Sequence, residues 1–395
     1  MQPLQIKAFT ATTALGRGNT QTLDALRTQR DGLRPCHWDT VDLPTWLGEI
    51  DGLEAVALPA SLSAYDCRNN RLALLALEQD GFMDAVRAAA SRYGRERVGV
   101  FLGSSTSGIY SSELAYRQRD PATGALPADH HYRQTHNMFS VADFVSQYAG
   151  LRGFANVVST ACSSSAKVFG IAQRMAHCGL IDAAIVGGVD SLCLTTLYGF
   201  NSLQLLSMQK CAPFDAARDG ISIGEGGAFI LVERADSAQS GDLLLTGVGE
   251  SSDAHHMSAP HPQGLGARLA MQAALDMAEL QPSAIDYINL HGTATPSNDQ
   301  AEDKGVSALF EGTPCSSTKG HTGHTLGAAG GVEAVVCLLA LRHGLIPGGV
   351  GTRTLDPQLR SHYVRDNQDK PMQHVLSNSF GFGGSNCSLL FSRKV

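Results

Sequence analysis

The chain of 395 residues lacks any apolar run that approaches the roughly 20 residues of a bilayer-spanning helix. Its first residues, Met-Gln-Pro-Leu-Gln-Ile-Lys, have neither the basic start nor the apolar centre of a secretory signal. The nine cysteines are scattered, and no two of them form a Cys-x-x-Cys pair. Such cysteine usage favours a reducing compartment over a disulfide framework. We therefore expect a soluble, cytoplasmic protein with free thiols and no membrane span.

Excess positive charge and known cofactor motifs are also lacking. A formal net charge of -7 at pH 7 argues against a nucleic-acid-binding protein and leaves recognition of an acidic partner to local basic patches. The glycine clusters at residues 224–227 and 381–384 match neither a dinucleotide fingerprint nor a phosphate loop. His321 and His324 are close in sequence, but no carboxylate or cysteine completes a known metal-ligand spacing. We expect no nucleic-acid partner, no nucleotide cofactor and no metal.

Short β-branched runs alternate along the chain with longer amphipathic stretches. The runs lie at residues 98–102, 183–186, 228–232 and 285–290. Helical periodicity predicts helices over residues 68–91, 163–178, 264–279 and 327–343. Strands that alternate with helices in this way predict an α/β fold.

A polar, linker-like break at residues 236–242 is the best boundary that the sequence offers. It predicts an N-terminal half over residues 1–240 and a C-terminal half over residues 241–395. No repeat is visible between the halves, although a structural duplication needs no visible sequence similarity. Residues 107–140, rich in Tyr, His, Arg and Asp, are interpreted as an irregular segment at the surface or at a subunit contact.

Cys162 stands where an apolar run ends and the helix predicted over residues 163–178 begins. The first amides of a helix lack intrahelical partners and carry the positive end of its dipole, so they favour a thiolate and can hold an oxyanion. The alternative interpretation is a buried structural cysteine beside an N-capping serine. Two histidine-containing segments elsewhere in the chain favour the interpretation of Cys162 as a nucleophile.

Both histidines lie in settings that favour a functional site. His291 follows a strand-like run and enters a Gly/Thr/Pro loop, at the carboxyl end of a strand where α/β proteins gather their sites. His324 precedes the small-residue helix, with Lys319 before it and Glu333 after it. Taken singly, His291 is better explained as a hydrogen-bonded loop residue and Lys319 as a solvated charge. Together with a cysteine, two neutral imidazoles suit thioester chemistry, because they can stabilise the enolate left by loss of carbon dioxide.

Several motifs in order resemble those of one family. They are Ser-Thr-Ala-Cys162-Ser-Ser-Ser, Pro213-Phe-Asp215, Arg218-Asp-Gly220, Gly224-Glu-Gly226, Ser252-Asp-Ala-His-His-Met257, His291-Gly-Thr-Ala-Thr-Pro296, Lys319 with Gly323-His324, and Asn378-Ser-Phe-Gly-Phe-Gly-Gly384. The set resembles the β-ketoacyl-acyl-carrier-protein synthases of the elongating type, decarboxylating condensing enzymes of the thiolase superfamily. The resemblance covers roughly residues 95–395.

The resemblance implies roles for five residues. Cys162 is expected to be the acylated nucleophile, and His291 and His324 the paired histidines of the decarboxylation step. Lys319 corresponds to the active-site lysine that supports them, and Glu333 to the carboxylate near that lysine. The expected reaction joins an acyl group on the cysteine to malonyl-acyl-carrier protein and releases carbon dioxide. No cofactor is expected, since phosphopantetheine arrives on the carrier protein as part of the substrate.

Further positions are assigned by the same resemblance. Phe382 corresponds to the gating phenylalanine, and its amide with that of the nucleophile would form the acyl oxyanion hole. Phe380 is expected in the substrate pocket, although a core phenylalanine is an equal alternative. Thr106 lies where the family often limits acyl-chain depth. Arg68 and Arg71 are expected to dock the carrier protein, with a solvated helix face as the alternative.

The fold implied by the resemblance is the five-layer αβαβα thiolase architecture of two similar halves, usually a dimer. A non-catalytic chain-length-factor subunit is a competing interpretation, which the intact cysteine and histidines disfavour. A degradative thiolase is disfavoured because Cys387 falls after the C-terminal glycine motif, and an initiating synthase because asparagine would stand in place of His324. The absent glycine-rich opening and Ser163-Ser-Ser165 leave fatty-acid and polyene/polyketide pathways both open. A homodimer and a heterodimer are both open as well, because that choice depends on the shape of the interface.

Overall fold

The computed structural model describes residues 1–395, apart from the side chain of Ser237. Strands β1 to β16 are, in chain order, Leu4–Thr13, Gly16–Arg17, Arg34–Pro35, Trp46–Gly48, Val98–Gly103, Ala155–Val158, Ala183–Asp190, Ile223–Gly224, Gly226–Arg234, Leu243–Ser252, Tyr287–Asn289, Cys315–Ser316, Leu345–Ile346, Gln368–Asp369, His374–Gly381 and Ser385–Arg393. Helices α1 to α11 are Gly18–Arg27, Arg68–Leu77, Phe82–Tyr93, Ile109–Arg117, Ser140–Ala149, Ser164–His177, Leu194–Ser202, Leu265–Ala278, Pro296–Ser307, Lys319–Thr322 and Ala329–His343.

The main sheet contains a structural duplication. Its strand order is β12-β11-β15-β16-β10-β1-β9-β7-β5-β6. If the five strands of each half are numbered in chain order, both halves read 3-2-4-5-1. Strands 3, 2 and 4 are parallel, and strand 5 is antiparallel to both of its neighbours, strands 4 and 1. The halves join edge to edge where β1 pairs antiparallel with β10. The expectation of two similar halves is confirmed, and the boundary between residues 240 and 241 stays a prediction.

Two helices lie between the halves of the sheet. Helix α6 packs on β5 and β7 of the first half and on β16 of the second, whereas α11 packs on β15 of the second half and on β9 of the first. Helices α2, α3 and α5 cover the outer face of the first half, and α8 with α9 covers that of the second. The layers therefore run α-β-α-β-α, as the resemblance implied.

Helix α11 is buried on all sides because sheets cover it from two directions. The stretch Leu326–His343 has the length and apolar composition of a membrane span, but 89% of it is buried inside the protein. Its hydrophobicity is accounted for by the core, where Val335, Leu338 and Leu339 pack between the sheets.

Glycine allows the two central helices to approach closely. A Cβ atom at Gly330 of α11 would lie 2.7 Å from the backbone nitrogen of Ala166 in α6, closer than side chains pack. Because Cys162 precedes α6 and His324 precedes α11, this approach brings the two residues together. The duplication thus places equivalent helix starts, one from each half, around one site.

The predicted elements differ from the structure in two places. The helix predicted over residues 68–91 is broken into α2 and α3 at Gly81, whose φ of +67° is incompatible with a continuous helix. The segment 107–140 was expected to be irregular, but it contains helix α4, Ile109–Arg117. The other helices were predicted more reliably, because their apolar residues recur with a strong helical period.

We expect Gly330→Ala to lower the free energy of unfolding by about 1–3 kcal/mol, because the added methyl overpacks the contact between α6 and α11. Denaturant-induced unfolding measures the change. Gly199→Ala is the matched control: Gly199 lies on α7 with open space around its Cα, so alanine should be neutral or slightly stabilising. Equal stability of both variants would contradict the packing described for the central helices.

Candidate active site

A strained turn presents Cys162 at the start of α6. Ala161 has φ +52°, a left-handed conformation that a residue with a Cβ adopts only when its surroundings hold it. The turn is held by Ser164, whose amide donates to the Ala161 carbonyl at 3.1 Å and whose hydroxyl accepts from the Thr160 amide at 2.9 Å. The thiol that it presents is 5% exposed.

His324 lies against the thiol in a defined tautomer. Its Nε2 is 3.0 Å from Cys162 Sγ, and its Nδ1 accepts a hydrogen bond from the Leu326 amide at 3.2 Å. Since Nδ1 is an acceptor, the ring proton of a neutral imidazole must reside on Nε2. Burial, reinforced by the Lys319 ammonium, holds the pKa of His324 well below its usual value, so the ring is neutral.

His291 is the second imidazole, and it enters the site from the loop after β11. Its ring lies 5.4 Å from that of His324, edge to face. Lys319 Nζ is 3.4 Å from His291 Nδ1 and donates to the His291 carbonyl at 2.5 Å. An ammonium only donates, so Nδ1 again accepts and Nε2 carries the proton. Burial, Lys319 and His324 together hold the pKa of His291 well below its usual value.

Lys319 and Glu333 form a buried ion pair, in which the Lys319 ammonium donates to Glu333 Oε1. The two side chains are 2% and 3% exposed. Burial raises the pKa of Glu333 to about 7, while the Lys319 ammonium acts in the opposite direction. The pair keeps a positive charge beside both imidazoles and so disfavours imidazolium.

Glu302 on α9 is a site residue that the sequence interpretation missed. Its two carboxylate oxygens accept the amides of His291 at 2.8 Å and Gly292 at 2.7 Å, which fixes the loop that carries the second imidazole. Burial raises the pKa of Glu302 to about 7, and these amides oppose the shift. The signal was an acidic residue in the second turn of a proline-started helix that begins shortly after a His-Gly pair, which is also what an ordinary solvated helix shows.

Burial and the helix start act on the thiol in opposite directions. Burial raises the pKa of Cys162 to about 11, although Lys319, the Phe382 amide and the residue's own amide act to lower it. The helix start favours a thiolate, as expected, but loss of hydration outweighs this contribution and leaves a protonated thiol at neutral pH. Both amides nonetheless face the sulfur, where they can hold an oxyanion formed on an attached carbonyl.

Phe382 lies in a short turn before two glycines at positive φ, Gly383 at +79° and Gly384 at +72°. Its ring packs on Phe200 with centroids 5.7 Å apart. Both residues line the same cavity as Cys162. The gating role of Phe382 stays a prediction.

The cavity at the thiol, together with the solvent at its opening, contains about 590 Å³ of empty space. Phe380, 8% exposed, lines it and packs against His291 with ring centroids 6.0 Å apart. Thr293 and Thr295 line it as well, with their hydroxyls hydrogen-bonded at 2.9 Å. The cavity therefore combines an apolar wall with a few polar groups near its entrance, as ligand sites do.

Thr106 does not belong to this cavity. Its side chain is fully buried, and its hydroxyl donates to Asp190 Oδ1 at 2.9 Å and accepts from the Ser191 amide at 3.1 Å. Thr106 is not among the residues that line this cavity, and its expected role in limiting the acyl chain stays a prediction.

Arg68 is also placed differently from the prediction. It is 5% exposed, and its guanidinium forms a bidentate pair with Glu225 at 2.9 and 2.6 Å and a further pair with Glu54. A buried, neutralised arginine is not available to a docking protein, so that prediction is corrected. Arg71 is partly exposed and pairs with Asp66 at 2.6 and 2.8 Å, and its docking role stays a prediction.

The three reacting side chains also have the composition of a metal site. One ligand atom from each of Cys162, His291 and His324 lies within 4.8 Å of the others. A metal would need both Nε2 atoms deprotonated and would lie near the buried Lys319 ammonium, which repels a cation. The chemistry of this donor set therefore favours proton donation over metal binding, and the absence of a metal stays a prediction.

We expect alkylation of Cys162 by iodoacetamide to accelerate about tenfold per pH unit up to about pH 11, because only the thiolate reacts. Peptide mass spectrometry follows the rate, with the exposed Cys178 as the reference thiol in the same sample. Lys319→Met should slow alkylation at a given pH, because the ammonium lowers the pKa of Cys162. An alkylation rate that stops rising below about pH 8.5 would mean that burial does not raise the pKa of Cys162.

Comparisons with known proteins agree with this geometry. The family descriptions "Beta-ketoacyl synthase, N-terminal domain" and "Beta-ketoacyl synthase, C-terminal domain" match residues 1–238 and 244–352. The chain is 39% identical over 268 residues to a mitochondrial 3-oxoacyl-[acyl-carrier-protein] synthase of Arabidopsis thaliana, covering 63% of this chain and 58% of that protein. It is 33% identical over 331 residues to 3-oxoacyl-[acyl-carrier-protein] synthase 2 of Staphylococcus aureus, covering 75% of each.

Solved structures share the whole fold. One chain of the complex between a ketosynthase, ApeO, and its chain length factor, ApeC, from Xenorhabdus doucetiae matches with a TM-score of 0.90 and 40% identity over 99% of this chain and 98% of that chain. A β-ketoacyl synthase from Burkholderia phymatum matches with a TM-score of 0.88 and 29% identity over all of both chains. The fold is the thiolase-like ketosynthase fold, and the chain belongs to the β-ketoacyl synthase family.

Proposed function

We propose that the protein is an acyltransferase that forms a carbon–carbon bond, a β-ketoacyl-acyl-carrier-protein synthase. It condenses an acyl group held on Cys162 with malonyl-acyl-carrier protein and gives 3-oxoacyl-acyl-carrier protein and carbon dioxide. The observation that carries the proposal is one buried thiol with two neutral imidazoles, whose reactive atoms lie within 4.8 Å of one another. Decarboxylative condensation uses a nucleophile and two proton donors, and the site supplies these three groups.

In the first half-reaction, Cys162 Sγ attacks the thioester carbonyl of the acyl-carrier protein. A carbon–sulfur bond forms to Cys162 as the bond to the carrier's sulfur breaks, and the thiol proton leaves with the departing sulfur. The amides of Cys162 and Phe382 support the negative charge on the carbonyl oxygen. A resting thiol with a raised pKa suits this exchange, because it is protonated until a thioester accepts its proton.

In the second half-reaction, the Nε2 protons of His291 and His324 bond the thioester oxygen of the malonyl group. The bond between its carboxylate and methylene carbons breaks, carbon dioxide leaves, and the electron pair is held as an enolate. The enolate carbon then attacks the acyl carbonyl, and Cys162 leaves and takes up a proton from solvent. Neutral imidazoles suit this step since they donate hydrogen bonds without competing for the substrate carboxylate as imidazolium would.

The substrate partner is an acyl carrier protein whose phosphopantetheine arm enters the cavity. No other cofactor takes part. The hydroxyls of Thr293 and Thr295 and the amide of Asn298 line the route to Cys162 and offer hydrogen bonds to the polar groups of such an arm. The nine cysteines are free, which supports a cytoplasmic location.

The protein acts as one subunit of a dimer, with an identical or a homologous partner. Strand β6 ends the sheet and is open on one side, and the exposed Phe154 precedes it. The unpaired edge of a strand is a template for pairing with another chain. The match to one chain of a complex between a ketosynthase and its chain length factor supports a heterodimer as a second candidate, in which this chain depends on a homologous partner. The complete cysteine and histidine set supports the catalytic role within it.

The pathway is fatty-acid or polyene/polyketide biosynthesis. Relatives named as 3-oxoacyl-[acyl-carrier-protein] synthases support the first, and the 40% identity to one chain of a complex between a ketosynthase and its chain length factor supports the second. The two share the chemistry at Cys162 and differ in the acyl groups that the cavity must hold.

We expect Cys162→Ala to take up no acyl group and to form no condensed product, because the nucleophile is gone. His324→Ala should still be acylated at Cys162 but should condense about 100- to 1,000-fold more slowly, the usual effect of removing one oxyanion donor. Intact-protein mass spectrometry with a panel of acyl-carrier proteins, followed by malonyl-carrier protein, separates the two half-reactions.

Cys193→Ala is the control for this experiment, since Cys193 is a buried thiol outside the cavity and its loss should change neither half-reaction. Full activity of Cys162→Ala would refute the proposed function. Failure of His324→Ala to become acylated would reassign His324 to the first half-reaction.

We expect Val157→Pro to dissociate the dimer while the subunit stays folded. The carbonyls of Phe154 and Val158 accept hydrogen bonds from the amides of Val100 and Ser104. Because successive residues of a strand turn their backbone groups to opposite edges, the N–H of Val157 points toward the open edge of β6, and proline removes it. Val157→Thr keeps the N–H and the β-branch and is the matched control. Size-exclusion chromatography with light scattering reports the mass, and a dimeric Val157→Pro would place the interface elsewhere.

A further inference from the structure

Asp190, the last residue of β7, carries a buried carboxylate that the reaction described above does not use. It is 0% exposed, and within the described part of the chain no lysine or arginine pairs with it. The carboxylate accepts the hydroxyls of Ser104, Ser105 and Thr106 at 2.7, 2.6 and 2.9 Å. It also accepts the amides of Ser105, Thr106 and Gly327 at 2.8, 3.0 and 2.6 Å. Burial raises the pKa of Asp190, whereas these hydrogen bonds lower it and replace the hydration that the ionised carboxylate loses.

One of these hydrogen bonds joins the two halves of the protein. Asp190 and the loop after β5 belong to the first half, whereas Gly327 belongs to the turn between His324 and α11 in the second. That turn includes Leu326 at φ +54°, a strained conformation for a branched side chain. Such a conformation persists only where neighbouring contacts hold it. The Gly327 amide is held by Asp190 and additionally by Ser105 Oγ at 2.9 Å.

The same turn decides which nitrogen of His324 carries the proton. The Leu326 amide donates to Nδ1, and the next amide along the chain is the one bound by Asp190. The backbone of His324 is fixed independently, by hydrogen bonds to the Ser222 carbonyl at 2.7 Å and from the Gly224 amide at 2.9 Å. Loss of the Asp190 contact would therefore release the Leu326 amide while the position of the histidine backbone is kept.

We propose that Asp190 is a positioning residue for His324. Its carboxylate holds the strained turn so that the Leu326 amide occupies Nδ1, which keeps the ring proton on Nε2, toward Cys162 and the substrate. The hydroxyls of Ser104, Ser105 and Thr106 hold this carboxylate in place by donating hydrogen bonds to it. The part of the inference that concerns condensation rests on the proposed function, whereas the part that concerns the tautomer does not.

The variant Asp190→Asn tests the inference. In this variant a side-chain NH₂ group, which only donates, replaces a carboxylate oxygen that accepts hydrogen bonds. The contact with the Gly327 amide is therefore weakened, and the turn relaxes. We expect the ¹⁵N signals of the His324 ring to change from a protonated Nε2 to a mixture that includes protonated Nδ1. Acylation of Cys162 should be retained and condensation should fall about 10- to 100-fold, the size of effect seen when a residue that orients another is lost.

Asp303→Asn is the matched control. Asp303 is a carboxylate of similar burial, 3% exposed, that accepts the amides of Arg360 and Ser361 and the Ser361 hydroxyl far along the chain from His324. Its variant should lose stability to a similar degree without any change in the His324 signals. If Asp190→Asn behaves like this control, with an unchanged tautomer and an unchanged ratio of condensation to acylation, the inference is overturned.

If Asp190→Asn does not fold, the variant Ser105→Ala tests the positioning role of Asp190 instead. The Ser105 hydroxyl donates to Asp190 and accepts from Gly327, so its loss weakens the same contact with a smaller change in the core. We expect the His324 signals to change in the same direction and condensation to fall less than in Asp190→Asn. Unchanged signals would overturn the inference. A wild-type protein that does not condense any substrate would refute the proposed function and leave the tautomer measurement intact.

Discussion

Lys319 carries its positive charge into the interior of the protein, where it touches both His291 and Glu333. Its ammonium disfavours a second positive charge on either imidazole and stabilises negative charge on the nearby thiol. A buried cation is tolerated only when it is paired, and removal of one partner from such a pair typically costs about 3–5 kcal/mol. Glu333 is therefore required by Lys319, and the ammonium of the pair reinforces burial in keeping the two histidines neutral.

The duplicated fold brings residues from both halves of the protein together around the pair of Lys319 and Glu333. Each half ends its third strand in a turn that leads to a central helix, and the two helices meet through small residues. The first turn presents Cys162 and the second presents His324, and each has a strained residue beside it: Ala161 precedes Cys162 and Leu326 follows His324. Reacting groups from both halves are thus fixed by backbone contacts in a largely buried site, where fixed dipoles stabilise an enolate more strongly than water does.

The sequence allowed the fold class and the reacting residues to be predicted, because both depend on local patterns. The α/β alternation and the segments around Cys162, His291 and His324 are contiguous in sequence. The resting thiol, the burial of Arg68 and the attachment of Thr106 to Asp190 were not predictable. Each depends on residues that are far apart in sequence, such as Glu225 for Arg68, and on how completely water is excluded. Glu302 was missed for the same reason, since its partners are amides of a different element.

The central claim is that two neutral imidazoles, each protonated on Nε2, face the substrate beside a buried ammonium. The most direct measurement is the ¹⁵N spectrum of His291 and His324 in the wild-type protein between about pH 6 and pH 8, around the ordinary pKa of histidine. The account expects both rings to stay neutral and protonated on Nε2 throughout this range. A ring that becomes imidazolium near pH 6.5, or that carries its proton on Nδ1, would contradict it.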